Sequence, residues 1–154
     1  LDESAIFTEE DYAPTKNGTR RKVSDNNEGS RPKLLLVEDD PTNRDMMWRF
    51  LKREFDVDFV GEGPKAIAMA AETPYRVVVM DIILGPGMNG LETTREIRKL
   101  PGYESTPVIA VTAYHMEGNR EAALDAGCSE YLAKPFTKSE FLAAALGALE
   151  GARN

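Results

Sequence analysis

The sequence predicts an α/β fold: a doubly wound, five-stranded parallel sheet between two helical layers. Two observations carry that prediction. Leu34–Val37, Val77–Met80 and Val108–Val111 are uninterrupted apolar runs, the pattern of central strands covered by helices on both faces. Between them lie longer segments of helical character with recognisable ends, and strict strand–helix alternation builds a parallel sheet through right-handed crossovers.

Residues 1–30 are rich in Asp, Glu, Asn, Thr, Gly and Ser, and Ile6, Phe7, Tyr12 and Val23 follow neither a helical nor a strand period. This stretch reads as a disordered or linker-like tail, leaving 31–154 as the folded domain. After the first strand, Asp40 and Pro41 supply an N-cap and a first-turn proline. Met46, Met47, Phe50 and Leu51 then share one face of a helix running to about Glu54. Val57–Val60 carries a charge, Asp58, and suits an edge strand. Gly63-Pro64 opens an Ala-rich second helix that must stop before Pro74. After the third strand, Leu91, Thr94, Ile97 and Arg98 mark a third helix ending near Pro101. A fourth runs from about Glu117 to Gly127, a C-cap. Tyr131–Ala133 makes the fifth strand. Thr137 and Glu140, in capping-box spacing, start a last helix that buries Phe141, Leu142, Ala145 and Leu149.

Composition narrows the function. The 154 residues carry a formal net charge of -7, which repels phosphodiester backbones and argues against direct nucleic-acid binding. The single Cys128 cannot form an internal disulfide, and no apolar run approaches the roughly 20 residues of a bilayer span. A cytoplasmic domain with neither nucleic-acid nor membrane partners is the expectation. The chain opens on Leu1 without the features of a secretory leader, and reads as a piece of a longer protein.

Ligands of open parallel sheets bind beyond the carboxyl ends of the strands. Here those ends are Glu38-Asp39-Asp40, Asp81, Thr112-Ala113 and Lys134-Pro135. Two carboxylates about 4 Å apart repel by roughly 4 kcal/mol at an effective dielectric near 20, so such a convergence calls for a cation. An all-oxygen donor set favours Mg²⁺. Lys134, the Thr112 hydroxyl and backbone N–H groups after Asp81 and Thr112 add donors for a tetrahedral anion. This inventory fits phosphoryl transfer to a carboxylate, with Asp81 as the candidate nucleophile.

The strand ends resemble the receiver domain of two-component response regulators, over about Pro32 to Leu149. Four separated motifs carry the resemblance: Leu-Leu-Val-Glu-Asp-Asp (35–40), Val-Val-Met-Asp (78–81), Ala-Val-Thr-Ala (110–113) and Gly-Cys-Ser-Glu-Tyr-Leu-Ala-Lys-Pro-Phe (127–136). It implies a flavodoxin-like (βα)₅ sandwich with strand order 2-1-3-4-5. It also implies that Glu38, Asp39, Asp81 and the Ile83 carbonyl hold Mg²⁺, with Mn²⁺ as a substitute. Asp81 would be the phosphoacceptor, and the Ile83 and Ala113 backbone would bind phosphate. Thr112 would be the switch hydroxyl, Tyr131 the aromatic switch residue, and Lys134 the neutralising lysine, joined to Pro135 by a cis bond. The implied partners are a histidine kinase or a histidine phosphotransfer protein as donor, an unknown downstream protein, and a second copy of the chain on phosphorylation.

One departure stands out. The family reads Asp, two residues, Met-Pro, one residue, Met-Asp-Gly, whereas Asp81 is followed by Ile82-Ile83-Leu84-Gly85-Pro86-Gly87-Met88-Asn89-Gly90. That is one residue more, with two extra glycines, just before the third helix. Ile83 and Tyr114 place bulk where water would approach an acyl phosphate, so slow self-dephosphorylation is expected. His115 reads as a solvated loop side chain rather than a relay or metal ligand, and Cys128, Trp48 and the methionines as packing residues. Two rival classes fit the sequence less well. A receiver used only as an unphosphorylated scaffold would not need the acidic pair, Asp81, Thr112 and Lys134. An Asp-nucleophile phosphatase would need a second Asp where Ile83 stands. A stand-alone regulator and the C-terminal receiver of a hybrid histidine kinase, with residues 1–30 as linker, both fit the pattern.

Overall fold

The computed structural model describes residues 12–14, 20–22, 31–113 and 119–153, and among them seven strands and five helices, alternating from the third strand onward. In order they are β1 (Tyr12–Pro14), β2 (Arg20–Lys22), β3 (Lys33–Val37), α1 (Pro41–Leu51), β4 (Asp56–Val60), α2 (Gly63–Glu72), β5 (Val77–Asp81), α3 (Gly90–Arg98), β6 (Val108–Thr112), α4 (Asn119–Ala126), β7 (Glu130–Ala133) and α5 (Lys138–Arg153). The sheet runs β1-β2-β4-β3-β5-β6-β7. Its five parallel members, β4-β3-β5-β6-β7, have the expected 2-1-3-4-5 order. Two short antiparallel strands, β1 and β2, extend the sheet beyond β4, in a stretch whose sequence carries no strand period. Tyr114 and His115 lie outside the described residues, as do Ile6, Phe7 and Val23.

The period of two along each strand sorts the core into two layers. Leu34, Leu36, Val77, Val79, Ile109 and Val111 pack under α1 and α5 against Met47, Trp48, Leu51 and Phe141. Leu35, Val37, Val78, Met80, Val108 and Ala110 face α2, α3 and α4, against Ala66, Met69, Ile97 and Ala123. Both faces of the central strands are therefore covered, which is why they read as continuous apolar runs. α1 differs from its prediction: it ends at Leu51, and Met47, Trp48 and Leu51 form its buried side while Met46 and Phe50 are half-buried.

Local chemistry starts the helices where the site needs them. Asp40 accepts from the Asn43 N–H at 2.8 Å, and Thr137 and Glu140 exchange their reciprocal bonds at 2.9 and 3.0 Å. α3 has a capping box of its own between Asn89 and Glu92, so the longer loop after Asp81 still ends in a well-defined start. Gly90 seats that start directly on the β5 terminus: a Cβ there would lie 2.1 Å from the Asp81 carbonyl oxygen and 2.8 Å from Ile82 Cα.

Two polar anchors lie elsewhere. Asp58 is buried, not at a solvated edge: the Tyr75 hydroxyl donates to it at 2.6 Å, and β2 pairs along the outer side of its strand. Burial and the neighbouring Asp58 charge both push the Tyr75 phenol up, out of any working pH range. The Tyr103 hydroxyl meets the Ala70 and Thr73 carbonyls at the end of α2, at 2.9 and 2.7 Å. Arg98, at the end of α3, donates from Nε and Nη2 to the Gly127 carbonyl at 3.0 and 2.7 Å, and from Nη1 to the Tyr103 carbonyl at 2.6 Å. Gly127 takes φ +111°, as its C-cap position requires.

The contact at Gly90 is backbone against backbone and cannot be relieved by a rotamer change. Gly90→Ala is expected to destabilise the fold by about 1–3 kcal/mol, read as a lower urea midpoint with an unchanged slope.

Candidate functional site

Adjacent parallel strands in register bring their carboxyl ends to one edge of the sheet. Val37 pairs with Met80 and Asp81 with Val111, while Thr112 pairs with Ala133. Glu38, Asp81, Thr112 and Lys134 thus leave the strands side by side. Glu38, Asp39 and Asp81 each place a carboxylate oxygen within 4.8 Å of the others. Glu38 and Asp81 are buried and Asp39 is exposed. Lys134 sits over the pair, its Nζ 3.0 Å from Glu38 Oε1 and 4.0 Å from Asp81 Oδ1.

Each group is held by a local device. The Asp40 N–H donates to Glu38 Oε2 at 3.1 Å, so Asp40 serves the site through its backbone while its side chain caps α1. The Ile83 N–H donates to Asp81 Oδ1 at 3.2 Å. The Lys134 N–H donates to the Thr112 carbonyl at 2.8 Å, and the Lys134–Pro135 bond is cis. Thr112 is fully buried at the end of β6, and Ala113 follows it at the surface. Tyr131 lies in β7 opposite Ala110, buried with Ala123 and Cys128. The Ile83 side chain stands 51% exposed beside Asp81.

One ammonium does not balance three carboxylates. At 4.8 Å, each like-charged pair costs about 3 kcal/mol at an effective dielectric near 20. The structure registers this at Asp81, whose carboxyl is pushed up to about 7, first by burial and next by the Glu38 charge, with Lys134 pulling the other way. The donor set is all oxygen and over-acidic, which suits a hard divalent cation. A raised carboxyl also works against the fold: the unfolded chain releases the Asp81 proton near pH 4 and the native chain only near 7, so stability falls as pH rises between the two.

Sequence reasoning brought together the groups that the structure brings together. It did not find the close approach of Gly85 to Asp39, because those residues meet only through the loop's path. It also passed over the Asn89/Glu92 capping box, although its spacing is visible in the sequence.

Residues 34–146 match the family model of the response regulator receiver domain. The chain belongs to that family and is a receiver domain of two-component signalling. It is 38% identical over 103 residues to the signal transduction histidine-protein kinase BarA of Escherichia coli K12, an alignment covering 66% of this chain and 11% of BarA. It is 35% identical over 109 residues to the transcriptional regulatory protein ResD of Bacillus subtilis, covering 70% of this chain and 44% of ResD. The chain thus spans less than half the length of either relative. Among solved structures, the receiver domain of the sensor histidine kinase PA1611 of Pseudomonas aeruginosa superposes with a TM-score of 0.73 at 34% identity, over 79% of this chain and 99% of that one. That structure holds a magnesium ion in its active-site cleft. The chemotaxis protein CheY4 of Vibrio cholerae gives a TM-score of 0.71 at 26% identity, over 78% and 99% of the two chains.

Asp81→Asn removes the raised carboxyl without changing its shape. The variant is expected to be more stable than the native chain at pH 8 without divalent ions, and the gain should shrink as pH falls through 7 and vanish by about pH 4. Urea unfolding across that range reads it directly.

Proposed function

We propose that the domain is a phosphoacceptor switch in which Asp81 takes a phosphoryl group from a phosphohistidine. The observation that carries this reading is a buried carboxylate placed with two further acids and one lysine. Asp81 attacks phosphorus in line, the phosphorus–nitrogen bond of the donor breaks, and the imidazole leaves with the bonding electron pair. Lys134 lies close enough to move from Glu38 toward the added charge, and the Ile83 N–H, which now donates to Asp81 Oδ1, would turn with the Ala113 N–H to the new oxygens. Glu38, Asp39, Asp81 and the Ile83 carbonyl would hold Mg²⁺, or Mn²⁺ in its place, and the ion would supply charge neutralisation for the phosphoryl oxygens.

Thr112 and Tyr131 are the residues through which the new charge changes the partner-binding face. A loop reorganises only if the phosphoryl group contacts its two states differently. The Thr112 hydroxyl, at the end of the strand next to Asp81, is placed for such a contact, and Tyr131 lies in the following strand. The donor is a histidine kinase or histidine phosphotransfer protein, the receiver of the signal another protein, and phosphorylation favours a homodimer. The receiver unit is residues 31–154, with the short strands β1 and β2 of the preceding stretch added to its sheet edge, and it works in the cytoplasm. It catalyses its own phosphorylation and slow dephosphorylation, with no turnover of an external substrate. No described helix is long and apolar enough to cross a membrane.

Incubation with acetyl phosphate and Mg²⁺ should add the mass of one phosphoryl group, absent in Asp81→Asn and absent when a chelator removes the metal. Lys134→Ala should slow the reaction by roughly 10²–10³-fold. With the bulky Ile83 beside the acceptor, the label should survive on the order of tens of minutes. No mass gain under any of these conditions would leave the domain as a binding scaffold.

A further inference from the structure

Asp39 is the exposed member of the acidic triad, so packing does little to fix its carboxylate. Two glycines flank it. On one side is Gly61, at the start of the β4–α2 loop, where a Cβ would sit 3.5 Å from Asp39 Cα and 3.7 Å from its Cβ, ordinary van der Waals distances. On the other is Gly85, in the longer loop after Asp81, where a Cβ would sit 3.2 Å from Asp39 Oδ2. A methyl group at 85 therefore presses on the carboxylate oxygen, while one at 61 touches only the stem. Neither glycine has a positive φ; in this loop only Gly87, at +100°, needs that freedom. The constraint at 85 is one of space, and of space beside a charged oxygen.

Asp39 also lines a cleft of about 450 Å³ between the 84–88 loop and the start of α2, with Glu62 and Met88 among its walls. The bare backbone at Gly85 keeps the cleft open up to Asp39. A methyl there would remove hydration from the carboxylate and shift its oxygen by a few tenths of an ångström from its place beside Glu38 and Asp81. In the metal-free protein the displacement costs little, because an exposed side chain can rotate. With a cation to be shared, the same shift weakens a ligand.

We infer that Gly85 is a positioning residue for divalent-cation binding, acting through Asp39, and that the extra residue in the loop after Asp81 delivers it there. This inference rests on the proposed Mg²⁺ site, and the two can fail separately. The test titrates Mg²⁺ alone into the full chain, following amide NMR shifts, for the native protein, Gly85→Ala and Gly61→Ala. Melting temperatures are measured without metal for the same proteins and for Gly87→Ala, whose φ of +100° makes it the loop-strain reference. Gly85→Ala should weaken Mg²⁺ binding on the order of tenfold, whereas Gly61→Ala binds as the native chain does, and both melt within a degree or so of it. Equal affinities for the two variants would overturn the role of Gly85. So would a metal-free melting temperature for Gly85→Ala as low as that of the loop-strain variant Gly87→Ala, since the effect would then be loop damage. A native chain that does not respond to Mg²⁺ would overturn the metal site itself and this inference with it.

Discussion

The domain is organised around an electrostatic debt: three carboxylates within 4.8 Å of one another and a single ammonium beside them. Nothing in the packing requires this. Glu38 and Asp81 are buried at strand ends where apolar side chains would continue the core, and burial is what makes their charges costly. The parallel sheet tolerates the cost because the groups lie just past the last strand residues, where loop N–H groups from Asp40 and Ile83 reach them. In the proposed switch, a cation and a phosphoryl group would act on one small volume that the fold has already brought together.

The sheet could be read from the sequence because its signals are local. A strand buried on both faces needs an apolar residue at every position, and Leu34–Val37, Val77–Met80 and Val108–Val111 satisfy that without reference to anything else in the chain. Helix starts at Asp40 and Thr137 are equally local, since each cap is closed by a residue three positions on. The acidic pair, Asp81, Thr112 and Lys134 could be placed together because a parallel sheet puts all its carboxyl ends on one edge.

What escaped has the opposite character. Asp58 looks like a solvated edge charge until Tyr75, seventeen positions later, is found donating to it. Gly85 looks like ordinary turn chemistry until the loop's course brings it against Asp39. Trp48 displaces Met46 on the inner side of α1 because its neighbours, not the helical period alone, decide which of two adjacent stripes is covered. The strands β1 and β2 have no internal period at all, and draw their pairing from the open outer side of β4.

Arg98 has a mechanical meaning as well. Its planar guanidinium grips the carbonyl of Gly127, where the chain leaves α4, and the carbonyl of Tyr103 in the loop after α3. Charge-assisted bonds from one rigid fork fix orientation as well as distance. The C-terminal end of α4 is therefore strapped, through one side chain, to the end of α3 and to the loop that follows it, so neither helix can slide along the sheet without the other.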